Sequence, residues 1–205
     1  MTVSADAAKS RKPRKRMHYG EGREALLKAA VRVVARGGLR SLTYRAVAEE
    51  AGVAHSLVVH HFGSRAALIE EALAHTVQTS MSHSILEPGF GEGAHDSRGL
   101  SEMVSADPDA RVFKYELLLE SRRRPELQPQ VRAMYDEYFA VAQRELSHML
   151  GADVDKALAR LVFAALEGLV MHQLVLGEPE ATDAALESLR SLLRHFDAVS
   201  DKAGE

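Results

Sequence analysis

Three groups of residues in this 205-residue chain have the types and spacing for chemistry. His60 and His61 could ligate a metal. Adjacent residues on a helix point about 100° apart, however, so the pair does not converge on one ion. Glu116 and Glu120 stand one helical turn apart, a spacing that suits acid–base work. Such a pair is more often a solvated face or a pocket rim, and no Glu-x-x-His motif accompanies it, so a di-metal bundle site is not indicated. Gly89, Gly91 and Gly93 sit in Pro-Gly-Phe-Gly-Glu-Gly. They lack the preceding strand and following helix that a phosphate-cradling loop requires. There are no cysteines. That excludes disulfide scaffolds, zinc–thiolate sites and cysteine nucleophiles. With no convergent nucleophile, base or metal set, the expectation is a non-enzyme with neither metal nor cofactor.

Charge is more informative. Residues 1–65 hold thirteen Lys/Arg against five acids, a net +8, whereas the remainder is −11. A basic head on an acidic body suggests a polyanion partner for the head and a separate task for the body. Lys9 to Arg16 places six bases in eight residues around Pro13. Residues 1–18 lack apolar periodicity and read as a disordered basic arm, able to pair with phosphates or enter a minor groove. No apolar h-region follows the arm, and no apolar run approaches the ~18 residues of a membrane span. A cytoplasmic location is expected.

The elements that must position these residues are helical. Hydrophobic residues make up 46% of the chain and aromatics only 5%, with Ala, Leu, Glu and Arg prominent, which favours helix over sheet. In 24–36, Leu26, Ala30, Val33 and Val34 share one face, and Gly37-Gly38 ends the run. Thr43 suits the N-cap of a second helix to Ala51, with Val47, Ala48 and Ala51 inward. A short helix over 54–61 follows Gly52. Ser64 can cap a fourth helix running to about Leu86. Pro88, Pro108 and the intervening glycines interrupt 87–110, predicting a loop-rich link with one short helix near 98–105. Helices resume at 109–123, 126–149, 153–177 and 181–199. The chain is expected to be all-α: an arm at 1–18, a head at 19–66 and a body at 67–200.

Residues 43–61 have the build of a helix-turn-helix. Two short helices meet at a tight turn, where Gly52 accepts positive φ, and the second is free to enter a major groove. The block from Gly38 to Ile69, containing Leu-Thr-Tyr-Arg-Ala-Val-Ala-Glu-Glu-Ala-Gly-Val-Ala-His-Ser-Leu-Val-Val-His-His-Phe-Gly, resembles the DNA-binding domain of TetR-family transcriptional regulators. The likeness extends more loosely to 115–121 and 165–170. It implies a homodimer with a three-helix DNA-binding domain and a C-terminal helical bundle that binds a small effector.

The resemblance carries roles onto particular residues. Thr43, Tyr44 and Arg45 match positions at the start of the second helix that face DNA. His55, Ser56, Leu57 and His60 match recognition-helix positions that read bases or line the groove. Arg65 matches a phosphate-contacting lysine. Three departures stand out: Ala54 replaces a capping serine, Val59 replaces a phosphate-reaching tyrosine, and Leu57 suits a thymine methyl better than a hydrogen bond.

In the body, Leu158, Leu161, Val162, Ala165 and Leu169 form one apolar stripe on the 153–177 helix, and Phe163, Leu166, Val170 and Leu174 form another. A helix apolar on two faces must be covered on both. With Leu186, Leu189, Leu192, Leu193 and Phe196 of the last helix, this predicts a four-helix dimer interface. Candidate effector contacts are Met81, Phe90, Phe113, Glu116, Leu117, Glu120, Met134, Tyr138, Phe163, Met171 and His172. Inward-facing Glu116 or Glu120 would favour a cationic or hydroxylated ligand. The expected function is a ligand-responsive regulator, a repressor released from an inverted-repeat operator on double-stranded DNA. The alternative is a small-molecule-binding helical protein with weakened DNA recognition.

Overall fold

A computed structural model describes residues 19–81 and 99–203. The basic arm, the link at 82–98 and Phe90 lie outside the described residues. So does the expected continuation of the fourth helix to Leu86. Among the described residues there are nine α-helices and no strand.

The first helix, α1 (Tyr19–Gly37), buries Leu26, Ala29, Ala30 and Val34 on one face. It ends where Gly38 turns to φ +70°, leading into a 3-10 turn, Leu39–Ser41. Thr43 then caps α2 (Tyr44–Ala51), its side chain accepting from Ala46 N at 3.1 Å. Gly52, at φ +68°, closes α2 in the left-handed region and reverses the chain into α3 (His55–Phe62). Ser64 Oγ accepts from Ala67 N at the head of α4 (Arg65–Met81).

Next comes α5 (Leu100–Ala106), which fits the short helix expected near 98–105. Asp107 caps α6 (Pro108–Ser121), and Pro108 occupies its first turn, where a missing N–H costs nothing. After a 3-10 turn at Pro125–Leu127 come α7 (Gln128–Leu150), α8 (Lys156–Leu176) and α9 (Pro179–Ala203). Asp155 caps α8 through Ala157 N and Leu158 N. Asp183 of α9 accepts from Ser101 N at 3.0 Å and from the Ser101 hydroxyl, fixing α9 on α5.

Two buried cores result. One joins α1–α4 to Phe113 and Leu117 of α6 and to Val131 and Met134 of α7. The other joins α5, Tyr115 of α6, the end of α7, α8 and α9. The first core therefore runs continuously from the head into the body.

Helix α8 departs from the expectation that no run is apolar enough to span a membrane. Its length and a mean hydropathy of 1.5 suffice by composition, yet only 22% of that stretch is buried within one chain. Ala159, Val162, Leu166 and Val170 face inward. Leu161 (67% exposed), Met171, Val175 and Leu176 do not, and Leu192 of α9 joins them at 60%. Of the α9 residues expected at a dimer seam, Leu186 and Leu193 are instead buried within the chain. The side chain of Phe196 lies outside the described residues.

Candidate nucleic-acid interface and effector site

Helix α3 is held by two anchors. Val58 and Phe62 are buried in the first core, with Val53 and Leu57 packed against it. Removing a buried aromatic of this kind costs roughly 3–5 kcal/mol. The opposite face of α3 is bare: His55, Ser56, Val59 and His60 are exposed. Ala54, at the N-cap position, makes no side-chain cap, as the departure from serine predicts. Glu50 of α2 braces the head by binding Arg32 and Arg36 of α1. The hydrogen bond from Arg32, aided by the charges of both arginines, holds its carboxyl below the usual 4.5 against the opposing effect of burial.

Of the eight residues expected to contact DNA, five are exposed: Thr43, Arg45, His55, Ser56 and His60. Thr43 and Arg45 are exposed beside α3, and Arg45 pairs loosely with Glu49 at 3.3 Å. Three differ. Tyr44 turns inward, its hydroxyl buried without a hydrogen-bond partner and its ring edge-on to His55 at 6.0 Å. Leu57 is half-buried because α3 needs a third apolar contact with the core, so only part of it faces outward. Arg65 is drawn into the fold: Nε donates to Leu42 O at 2.8 Å and Nη2 donates to Leu39 O. The adjacent histidines do not converge. The rings of His60 and His61 meet edge-on at 5.7 Å, and burial pushes the His61 imidazole below its ordinary 6.5, with the charge of His60 adding to the effect. No cluster of three metal-ligating side chains occurs among the described residues.

The candidate effector contacts divide among several places. Phe113, Leu117 and Met134 belong to the first core. Leu117 also borders a cavity of about 190 Å³ with Ile69, Leu73, Leu127 and Val131, and Arg65 and Arg124 line it too. Glu116 points at the head, where a Cβ added to Gly38 would meet its Oε2 at 3.2 Å. Glu120 is buried but answered by Arg123 at 3.1 Å and Arg124 at 2.9 Å, which hold its carboxyl below the usual range. Both glutamates line a cavity of about 480 Å³ with Leu119, Arg122 and Arg123, apart from the rings of Phe163 and Tyr138. Met171 and His172 are on the exposed side of α8, because the inward side is taken by Leu166 and Val170. Met81 ends α4, and its side chain lies outside the described residues.

The interior of the body holds a charged group that the sequence reading missed. Lys114, 5% exposed, donates from Nζ to Glu167 Oε1 at 2.6 Å. That nitrogen lies 4.8 Å from the ring centre of Tyr115 and 5.4 Å from that of Tyr138. Tyr138 in turn stacks on Phe163 at 5.7 Å, and Tyr135 and Phe139 pack around the same ring. Burial pushes the Lys114 ammonium below its usual 10.5, Glu167 pulls it back, and nearby Arg111 depresses it further. Burial likewise raises the phenols of Tyr115 and Tyr135. A signal was available: Lys114 interrupts the stripe Ala110, Phe113, Leu117, where helical spacing calls for an apolar residue.

Comparison with known proteins agrees with this architecture. Residues 26–72 match the family model for bacterial regulatory proteins of the tetR family, and residues 97–195 match the tetracyclin repressor-like C-terminal domain. The HTH-type transcriptional regulator BetI of Paraburkholderia phytofirmans is 28% identical over 179 residues, covering 80% of this chain and 87% of that protein. Among solved structures, a TetR-family member from Streptomyces coelicolor A3 shares 28% identity with a TM-score of 0.64, covering 84% of this chain and 98% of its own. The multidrug binding protein EbrR, complexed with imidazole, shares 28% identity with a TM-score of 0.58, covering 83% and 93%. The exposed α3 on its buried anchors, the helical body behind it and the two family matches lead to one conclusion: the chain belongs to the TetR family of DNA-binding transcriptional regulators, which are not enzymes.

Proposed function

We propose that this protein is a cytoplasmic repressor that binds an inverted-repeat operator as a homodimer and is released by a small-molecule effector bound in its helical body. The observation that carries the reading is the bare face of α3, with His55, Ser56 and His60 exposed opposite the buried Val58 and Phe62. Such a helix can enter a major groove and present side chains to base edges, while surrounding cations bind phosphates without reading sequence. Thr43 and Arg45, with residues 1–18 ahead of α1, supply the phosphate side of that contact. The unit that touches DNA is residues 19–66, and 67–200 hold the effector and the partner chain.

The unburied apolar side of α8, together with Leu192, supports dimerisation. Two copies would cover each other's Leu161, Val175 and Leu176 in a four-helix seam. A ligand in the body would then change the separation of the two heads, and with it the fit to an operator whose half-sites are fixed roughly 34 Å apart or a multiple of that. The complex of EbrR with imidazole supports a small-molecule role for the body.

The test is a mobility-shift titration of purified protein on DNA flanking its own gene and on random duplex, at fixed moderate salt. Binding to an inverted repeat well above random duplex is the expected result. Equal affinity for both would leave a helical ligand-binding protein without specific DNA recognition.

A further inference from the structure

The buried group around Lys114 carries more positive than negative charge. Lys114 and Arg111, on the same face of α6, are answered by one interior carboxylate, that of Glu167. Lys114 is paired with it. Arg111 forms no ion pair among the described residues. Its Nη2 donates to Met103 O at 3.2 Å, while its Nε is buried with no hydrogen-bond partner. Asp107, which also acts on the Arg111 charge, is exposed at the N-terminus of α6 and caps it through Ala110 N. Tyr115 donates to the Glu167 backbone carbonyl at 3.2 Å, so its hydroxyl adds no charge to the balance.

Arg111 is half-buried, its Nε shielded and unpartnered, and it keeps its charge beside Lys114 and close enough to Tyr115 and Tyr138 to act on them. The glutamates first expected to set ligand charge do not offset it, because Glu120 is spent on Arg123 and Arg124 and Glu116 faces the head. Arg111 itself is only partly buried, so the group has a side open toward solvent.

We propose that Arg111 and Lys114 form a recognition site for the carboxylate of an apolar organic acid, whose tail lies along the ring cluster of Tyr138, Phe139 and Phe163. The acid supplies the missing negative charge, with the Arg111 guanidinium as the donor and the Lys114 ammonium as a second positive charge behind it. Charge-assisted bonds of this kind are the strong ones, and a guanidinium is suited to a planar carboxylate. The site deepens the effector reading above by naming the ligand class. As a binding site, it stands independently of DNA recognition.

The full-length protein is titrated by calorimetry and thermal melting with benzoate, 3-phenylpropionate and octanoate, and with benzyltrimethylammonium as a cation of matched size. At least one acid is expected to bind saturably with Kd below about 1 mM and to raise the melting temperature, with the cation doing neither. Arg111→Gln is expected to weaken that acid by about tenfold, or 1.4 kcal/mol. Lys114→Met leaves Glu167 unpaired and can unfold the body. The double variant Lys114→Met, Glu167→Gln removes both charges, and it should melt cooperatively and lose acid binding. Failure of all three acids to bind, a cation preference, or unchanged affinity in Arg111→Gln overturns the proposal. Acid binding that leaves DNA affinity untouched keeps the site and removes its effector role. Loss of specific DNA binding with acid binding intact removes the regulator reading alone.

Discussion

Arg65, at the first turn of α4, donates from Nε to the backbone carbonyl of Leu42 at 2.8 Å, and its second bond reaches Leu39 O. Both carbonyls belong to the stretch between α1 and α2, where the chain has left one helix and not yet entered the next. One guanidinium thus ties the start of α4 to the turn that joins α1 to α2. This makes Arg65 a structural clamp, where resemblance alone assigned it to phosphate.

Replacing Arg65 with Ala should therefore lower stability, by about 1.5–3 kcal/mol for the loss of hydrogen bonds from a charged donor. Urea denaturation measures this directly. A phosphate contact would instead leave the melt unchanged and reduce the salt slope of DNA binding by about one unit. The clamp predicts the melt to move and the slope to hold.

Sequence preference should reside in the bare face of α3. His60→Ala and Ser56→Ala are each expected to change discrimination between operator variants by roughly 1–3 kcal/mol where the contact to a base is direct. Leu57→Ala combines two effects, because the residue is half-buried, and should lower stability as well. Competition binding against a panel of single-base operator variants separates altered preference from uniform weakening.

Dimerisation should depend on the uncovered side of α8 and on Leu192. Leu161→Glu or Leu192→Glu places a charge where a partner's apolar surface would lie and should yield monomers in sedimentation at micromolar concentration. The same charge at Leu193, which is buried within the chain, should unfold the body instead. Circular dichroism tells the two outcomes apart.

Glu50 should give the head a sensitivity to acid. Its carboxyl is held below 4.5 by Arg32 and Arg36, so the folded state binds its proton later than the unfolded chain. The stabilisation is fully present above the ordinary carboxylate pKa and is lost as pH falls through the depressed value. Because Arg36 is largely exposed, the effect should stay within about 1 kcal/mol. Glu50→Gln should flatten this part of the stability–pH curve between neutral pH and pH 3.

Much of this was legible before any coordinates. Helix periodicity, Thr43 and Ser64 as caps and Gly52 at the turn locate α1–α4, because these signals are local and do not depend on what packs against them. The weak start of α3 at Ala54 is legible for the same reason. What was not legible depends on tertiary partners. Whether Arg65 meets a phosphate or two carbonyls depends on where the 39–42 turn lies relative to α4. Whether the Glu120 carboxylate is free for a ligand depends on Arg123 and Arg124 curling back at the end of α6. Met171 and His172 fall on the outer side of α8 because α5, α7 and α9 together cover only part of its circumference. Lys114 was the accessible miss, since a cation on an apolar stripe is visible in the sequence itself.

The first hydrophobic core, continuous from Leu26 and Val34 of α1 to Phe113 and Leu117 of α6, bears on how portable the DNA-contacting unit is. Excising residues 19–66 would strip α1 of its packing against α6 and leave a greasy surface in water, so the fragment should be a poor module for chimeric regulators. Within the intact chain, the slowest-exchanging amides of α1 and α6 should become labile together, as members of one cooperative unit. A fusion boundary that respects this unit would lie beyond Met134 of α7, well past the helix-turn-helix itself.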